Sequence, residues 1–294
     1  MFDFFSDQPD DLLGVDIGTK NIKLTEIKKG KEGKMLLANY AIATLSEASA
    51  RDISTQEIAG IVKNTVKQAG IKTRDAAFSL PAYSTFLTLV DMPRLSDNEL
   101  DQLIPVEAKK YIPIPVDKVT MGWSRVKEKI LLIAVPKTLS RHYAEIAALA
   151  ELDLKTLEAE TFSLARALAR DETGCAVLID VGARSTNVSL IEKGNVFLNR
   201  TLSKEAYNIQ AIAQIINKSG QKIDSVIMTG GELKSEIEEE LKKLLPQAKL
   251  QRGDPWKNII YPKELGARLK ELSPILSVSV GLAIRDFIKL NPGA

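Results

Sequence analysis

One stretch of this chain occurs twice. The segment DIGTKNIKLTEIKKG at 16–30 lies over DVGARSTNVSLIEKG at 180–194 without a gap, and five of the fifteen positions are identical. The shared residues include the Asp that opens each copy, the Gly two places later and the closing Lys-Gly. The copies lie about 164 residues apart, a period far longer than that of a solenoid. They imply two related half-molecules, and 294 residues suffice for two sizeable cores.

Each copy follows a short apolar run, 12–18 in the first half and 175–180 in the second, that reads as a buried strand entering a tight hairpin. Gly18 and Gly182 permit unusual backbone angles and remove a Cβ that would block a phosphate. Successive N–H groups in such a turn form an anion-binding concavity. The preceding carboxylate, Asp16 or Asp180, suits a magnesium ion, directly or through water. A single Asp-x-Gly is usually just a hairpin. Two of them, facing each other, make a phosphate clamp. A third element, Thr229-Gly230-Gly231 after the apolar run 225–228, reads as strand, paired glycines, then helix, and would let a ring or ribose approach backbone.

Periodicity supplies the remaining elements. Strands are expected at 21–28 and 35–42, completing a first meander, and at 187–191 and 196–200, completing a second. Helical spacing marks 55–69, and a buried strand follows at 76–80. The stretch 85–150 reads as an inserted βααββα-type unit: strand 85–92, helix 96–111 with Ser96 and Glu99 as a capping box, strands 118–126 and 129–135, helix 140–149. Further helices are expected at 159–169, 205–217, 234–245 and 275–290.

Composition narrows the function classes. A formal net charge of +2 gives no field that argues for nucleic acid or a membrane surface. No window of about 18 apolar residues is present, and the N-terminus is acidic and aromatic rather than signal-like. With His142 the only histidine and Cys175 the only cysteine, zinc sites and His-based or Cys-based triads are excluded. Cys175 reads as a small buried apolar residue, His142 as a surface residue, and a cytoplasmic location is expected. Phe2, Phe4 and Phe5 would dock on the protein's own core or on a partner.

The order of Asp-x-Gly hairpin, helix at 160–168, second hairpin and Thr-Gly-Gly resembles the actin-like ATPase superfamily. Within it, Ser79-Leu80-Pro81-Ala82-Tyr83, the run Glu107-Ala108-Lys109-Lys110-Tyr111-Ile112-Pro113 and Ala134-Val135-Pro136-Lys137 are similar to the PilM family of type IV pilus assembly, of which the cell-division protein FtsA is a cousin. The resemblance covers most of 12–288. It implies an α/β, actin-like (ribonuclease H-like) duplicated fold with an inserted α+β subdomain. The division would be 1–84, insert 85–150, return 151–174, second half 175–274 and a C-terminal helix 275–294 packing back.

The resemblance also implies roles. Asp16, Gly18, Thr19 and Lys20 would form the first phosphate loop; Asp180, Gly182, Arg184, Ser185 and Thr186 the second. Gly230 and Gly231 would lie near the adenosine of ATP, and Asp16 and Asp180 would hold Mg. Glu160 would orient water, or serve only as a helix-start charge. Lys20 and Arg184 would pair with phosphate or stay solvated. The expected partner is the N-terminal cytoplasmic tail of a membrane-anchored, PilN-like protein, with pilus ATPases and copies of the chain itself as further candidates. Recruitment would be to the inner face of the plasma membrane.

The pattern departs from the family after the second meander. Only about 35 residues separate Gly194 from Thr229, and Ser203-Lys204-Glu205 stands where a glycine pair often follows. The fourth subdomain is therefore expected to be reduced and the adenine poorly covered. Three readings stay open: an ATP-binding scaffold of the pilus assembly platform with slow or absent hydrolysis, a true ATPase or small-molecule kinase, and an interaction module whose nucleotide site has decayed.

Overall fold

A computed structural model of the chain describes residues 2–3, 10–45, 53–206 and 208–288. Phe4 and Phe5 lie outside the described residues, as do the last two positions of the helix expected at 275–290.

The first half opens with β1 (Phe2–Asp3), then the meander β2 (Asp11–Ile17), β3 (Asn21–Lys29) and β4 (Met35–Thr44), followed by α1 (Thr55–Gln68) and β5 (Asp75–Leu80). The insert holds β6 (Phe86–Asp91), α2 (Asp97–Glu107), β7 (Val119–Val126) and β8 (Lys129–Pro136). The chain returns through α3 (Lys137–Leu149), β9 (Asp153–Ala159) and α4 (Glu160–Leu164), which continues as a π-helical turn, Ala165–Ala169. The second half contains β10 (Cys175–Val181), β11 (Ser185–Glu192), β12 (Asn195–Ser203), α5 (Ile209–Ser219), β13 (Ser225–Thr229), α6 (Ser235–Leu244), β14 (Lys249–Arg252), β15 (Ile259–Ile260) and α7 (Gly266–Ala283).

The repeat is realised as topology. One sheet runs β1-β9-β5-β2-β3-β4-β15, the other β12-β11-β10-β13-β14. In both, an antiparallel meander is continued by two parallel strands, β5 and β9 in the first half and β13 and β14 in the second. The α/β duplicated architecture follows directly from this order.

Strand alternation then decides what faces what. In β2, Leu13 and Val15 point to an outer core shared with Ile58, Val62 and Val66 of α1 and with Tyr143 and Ile146 of α3. In β10, Val177 and Ile179 point to a matching outer core with Ile212 and Ile216 of α5 and Leu241 of α6. Leu12 and Leu178 face inward, onto Leu164, Val278 and Leu282 of the two helices between the sheets. Continuing the same parity along each strand brings Asp16 and Asp180 to the inner faces.

Helix α7 is the central member. A Cβ on Gly14 would stand 1.9 Å from the carbonyl oxygen of Ser279, and one on Gly281 would stand 2.0 Å from that of Ser163. Backbone therefore packs on backbone, and only glycine fits at these positions. The sequence reading starts this helix at 275, one residue after Pro274. It instead begins at Gly266 and runs through the proline, whose carbonyl accepts hydrogen bonds from Gly230 N (3.1 Å) and Thr229 Oγ1 (3.2 Å).

The insert has its own core, with Val90, Leu100, Ile104, Ile112, Ile130 and Leu132 between a three-stranded sheet, β6-β8-β7, and α2. The Ser96–Glu99 capping box forms. Helix α3, grouped with the insert in the sequence reading, buries Tyr143, Ile146 and Ala147 in the core of the first sheet. Strand β9 escaped the sequence reading because Asp153-Leu154-Lys155-Thr156-Leu157-Glu158 looks too charged for a strand. Glu158 is buried and paired with Arg166, itself 1% exposed, which also donates to Gly281 O at 2.8 Å. Among the described residues, no helix is long and apolar enough to cross a membrane.

Candidate functional site

A cleft of about 610 Å³ lies between the two halves, lined by both hairpins, the Gly230-Gly231 turn and α7. It brings together Asp16, Gly18, Thr19, Lys20, Glu160, Asp180, Gly182, Arg184, Ser185, Gly230 and Gly231, residues spread over more than two hundred positions of sequence. Thr186 is the exception: it is buried and absent from the lining, while its neighbours Ser185 and Asn187 are present. Strand β11 begins at Ser185, so from there side chains alternate and Thr186 turns to the opposite face.

The cleft glycines differ in how little room they leave for a side chain, with Gly230 the most restricted and Gly231 the least. A Cβ on Gly18 would meet Lys23 Nζ at 2.6 Å. Gly230 has φ +104°, and a Cβ there would stand 2.3 Å from Val181 O. In each hairpin the glycine N–H closes the turn, Gly18 N to Asn21 O at 2.9 Å and Gly182 N to Ser185 O at 3.0 Å. Among the described residues, no backbone hydrogen bond takes up the N–H of Thr19, Lys20, Ala183 or Arg184. Each half thus leaves two consecutive N–H groups of cleft-lining residues without a backbone partner, the kind of arrangement that suits a phosphate.

The two aspartates have different neighbours. Asp16 accepts from Lys23 Nζ through Oδ2 and from Ser79 Oγ through Oδ1, both at 2.8 Å. Asp180 lies opposite Asn187 in the second hairpin, where the first hairpin has Lys23 opposite Asp16. The repeat thus puts an ammonium at one position and an amide at the other. Burial pushes the Asp180 carboxyl up to about 6, with the charge of Asp16 adding to it and Lys23 and Asn187 opposing.

Glu160 opens α4 and projects between the halves. Its Oε1 accepts from Ala82 N and from Asn187 Nδ2, both at 2.9 Å. Burial, reinforced by the charges of Asp180 and Asp16, pushes its carboxyl up to about 8, against the Ala82 N–H and Lys23. Burial alone would lower the Lys23 ammonium, but Asp16, with Asp180 and Glu160 behind it, outweighs that and holds it above its ordinary value.

Sequence reasoning missed Lys23, Asn187, Ser79 and Glu232. The first two were accessible, because they are equivalent positions of the repeat and lie in register with the two aspartates. Lys20 bridges the cleft to Glu232 Oε1 at 2.5 Å, and no local pattern predicts that pair. His142, expected at the surface, is half-buried in the cleft wall with its Nδ1 3.1 Å from Thr55 Oγ1. Cys175 is buried, as read from the sequence. Among the described residues, none from 195–229 lines the cleft.

Residues 14–214 match the family model described as type IV pilus assembly protein PilM. The chain belongs to this family. Its fold is similar to that of a PilM–PilN type IV pilus biogenesis complex structure, with a TM-score of 0.81 at 19% identity over 96% of this chain and 100% of that one. The cytoplasmic domain of EpsL, an inner-membrane component of the type II secretion system of Vibrio cholerae, gives 0.53 at 14% identity over 89% and 93% of the two chains. A protein of unknown function with an actin-like ATPase fold from Bacteroides thetaiotaomicron gives 0.52 at 10% identity over 85% and 95%. The PilM-family chain is therefore actin-like in fold.

Proposed function

We propose that this PilM-family protein is an ATP-binding scaffold of the type IV pilus assembly platform that holds the cytoplasmic tail of a membrane-anchored, PilN-like partner. The observation that carries the nucleotide part is the pair of hairpins meeting in one cleft, each with a glycine that admits no Cβ or barely admits one and two unclaimed backbone donors. The donor set fits a polyphosphate: four N–H groups and the Lys23 ammonium. Lys20 would exchange Glu232 for a phosphate oxygen.

Magnesium also fits, on the second half. Both Asp16 oxygens are engaged, whereas Asp180 carries charge without an adjacent ammonium of its own. Among the described residues no three Asp, Glu, His or Cys side chains form a cage. An ion here would take most of its ligands from phosphate and water, which is how magnesium is usually held. When bound, the Mg–nucleotide supplies a polarised phosphoryl group. The chain contributes Lys23 to balance charge, Glu160 to orient water and the two hairpins to fix the phosphates.

The lack of any described residue from 195–229 in the cleft lining favours weak gripping of the base and slow or absent turnover, and it keeps the interaction-module reading as the second choice. The partner part rests on family membership and on the likeness to the PilM–PilN complex. The protein would work in the cytoplasm, recruited to the membrane by that tail.

Saturating Mg–ATP should raise the melting temperature, since a ligand at 100 times its Kd stabilises by about 2.7 kcal/mol. Asp180→Ala should abolish the rise. An unmoved melting temperature together with no calorimetric binding heat would sink the nucleotide reading. In that event, fluorescence anisotropy with a labelled tail peptide of a PilN-like protein decides whether the scaffold role survives.

A further inference from the structure

Asn187 stands in the middle of a row of three residues that crosses the second sheet. Asp180 is its partner in β10 and Thr201 its partner in β12, both in direct register. Thr201 Oγ1 donates to Asn187 Oδ1 at 2.8 Å. An amide whose oxygen is held by a hydroxyl has only its NH₂ left to offer on the other side. That NH₂ meets Glu160 Oε1 at 2.9 Å, and the same oxygen takes the Ala82 N–H. The carboxylate is thus held by donors from two different parts of the fold, the turn after β5 and the second hairpin.

We propose that Asn187, oriented by Thr201, is the positioning residue that fixes the carboxylate of Glu160 in the cleft. The reading of Glu160 as the group that orients water is the one on which this rests. The comparison within the molecule supports an amide at this point. At the equivalent place in the first half, Lys23 pairs with Asp16 and supplies a full positive charge. A second lysine at 187 would put a full positive charge between Asp180, its partner in register, and Glu160, where Asn187 now bonds both. An amide holds the carboxyl group in place without adding a charge of its own. The other charged or titratable groups around Glu160 are Asp16, Lys23, Asp180 and the Tyr143 hydroxyl, so Asn187 is a neutral member of an otherwise ionisable shell.

The test uses the full chain with ¹³C-labelled glutamate carboxyls. The Glu160 resonance is identified by its loss in Glu160→Gln. Thr201→Val keeps the side-chain shape, removes the donor and frees the amide to rotate. It should move the Glu160 resonance, and Thr201→Ser, which keeps the hydroxyl, should return it. In single-turnover assays Thr201→Val should slow ATP cleavage about tenfold at unchanged Mg–ATP affinity, and it should add nothing in the Glu160→Gln background. A resonance that stays in place in Thr201→Val overturns the proposal, whatever the nucleotide data show. If the resonance moves and Mg–ATP does not bind the unsubstituted protein, the positioning role stands and the nucleotide reading falls.

Discussion

Lys23 Nζ lies 2.8 Å from Asp16 Oδ2, and the two residues face each other in register across the first hairpin. Both are largely removed from solvent, with side-chain exposures of 16% and 7%. Breaking such a pair from one side strands the other charge. Lys23→Met should therefore cost about 3 kcal/mol, and adding Asp16→Asn should recover part of that loss. Urea unfolding of the single and double variants checks this; equal losses for both would show that the pair is not the source.

Glycine substitutions should separate sharply by site. Gly14→Ala and Gly281→Ala drive a methyl into a carbonyl oxygen and should each cost more than about 3 kcal/mol, or abolish folding. Gly60 lies within α1 with nothing inside 4 Å of its would-be Cβ. Gly60→Ala should stabilise by about 1 kcal/mol through helix propensity alone. Thermal melts of the three variants suffice.

The raised Glu160 carboxyl makes a signed prediction for pH. A group whose native pKa exceeds its unfolded value contributes stability that is complete below the unfolded value and lost as pH climbs through the native one. For Glu160 that window runs from about 4.5 to about 8. Glu160→Gln removes the slope. Relative to the unsubstituted protein, the variant should gain about 2–3 kcal/mol between pH 6 and pH 9. Denaturation curves that keep a constant separation over this range would contradict the assignment.

The insert can be probed alone. Ser96 caps α2 by accepting from Glu99 N, and Glu99 accepts in return from Ser96 N at 2.8 Å. Ser96→Ala should cost about 1 kcal/mol. Hydrogen exchange should speed up in 97–107 and stay unchanged in α1, whose own box uses Ser54 and Glu57.

Much of this architecture was legible because it is periodic. The repeat announced both meanders, and strand alternation would have put Asp16 and Asp180 on facing surfaces without any coordinates. Parity would also have favoured Asn187 over Thr186 for the cleft lining, since residues 185 and 187 share a face that 186 does not. Other features could not be read locally. Glu158 in β9 depends on Arg166, which a strand pattern does not reveal. Helix α7 continues through Pro274, whose carbonyl takes hydrogen bonds from Gly230 and Thr229, contacts from distant positions that no local pattern reveals. The Lys20–Glu232 contact joins positions 212 apart and leaves no trace in either neighbourhood.

The insert leaves the first half between β5 and α3, yet it leans on the other half. Leu87 of β6 packs on the inner core beside Ile191 and Val196, and Lys127, at the β7–β8 turn, pairs with Glu192 at the end of β11. A unit joined to one body and in contact with another would act as a lever. Any change in angle between the two sheets must either break the brace or swing the insert, so a few ångströms of motion around the cleft would be converted into a larger displacement at the insert's far edge. Assembly contacts made there would then feel the state of the cleft without touching it.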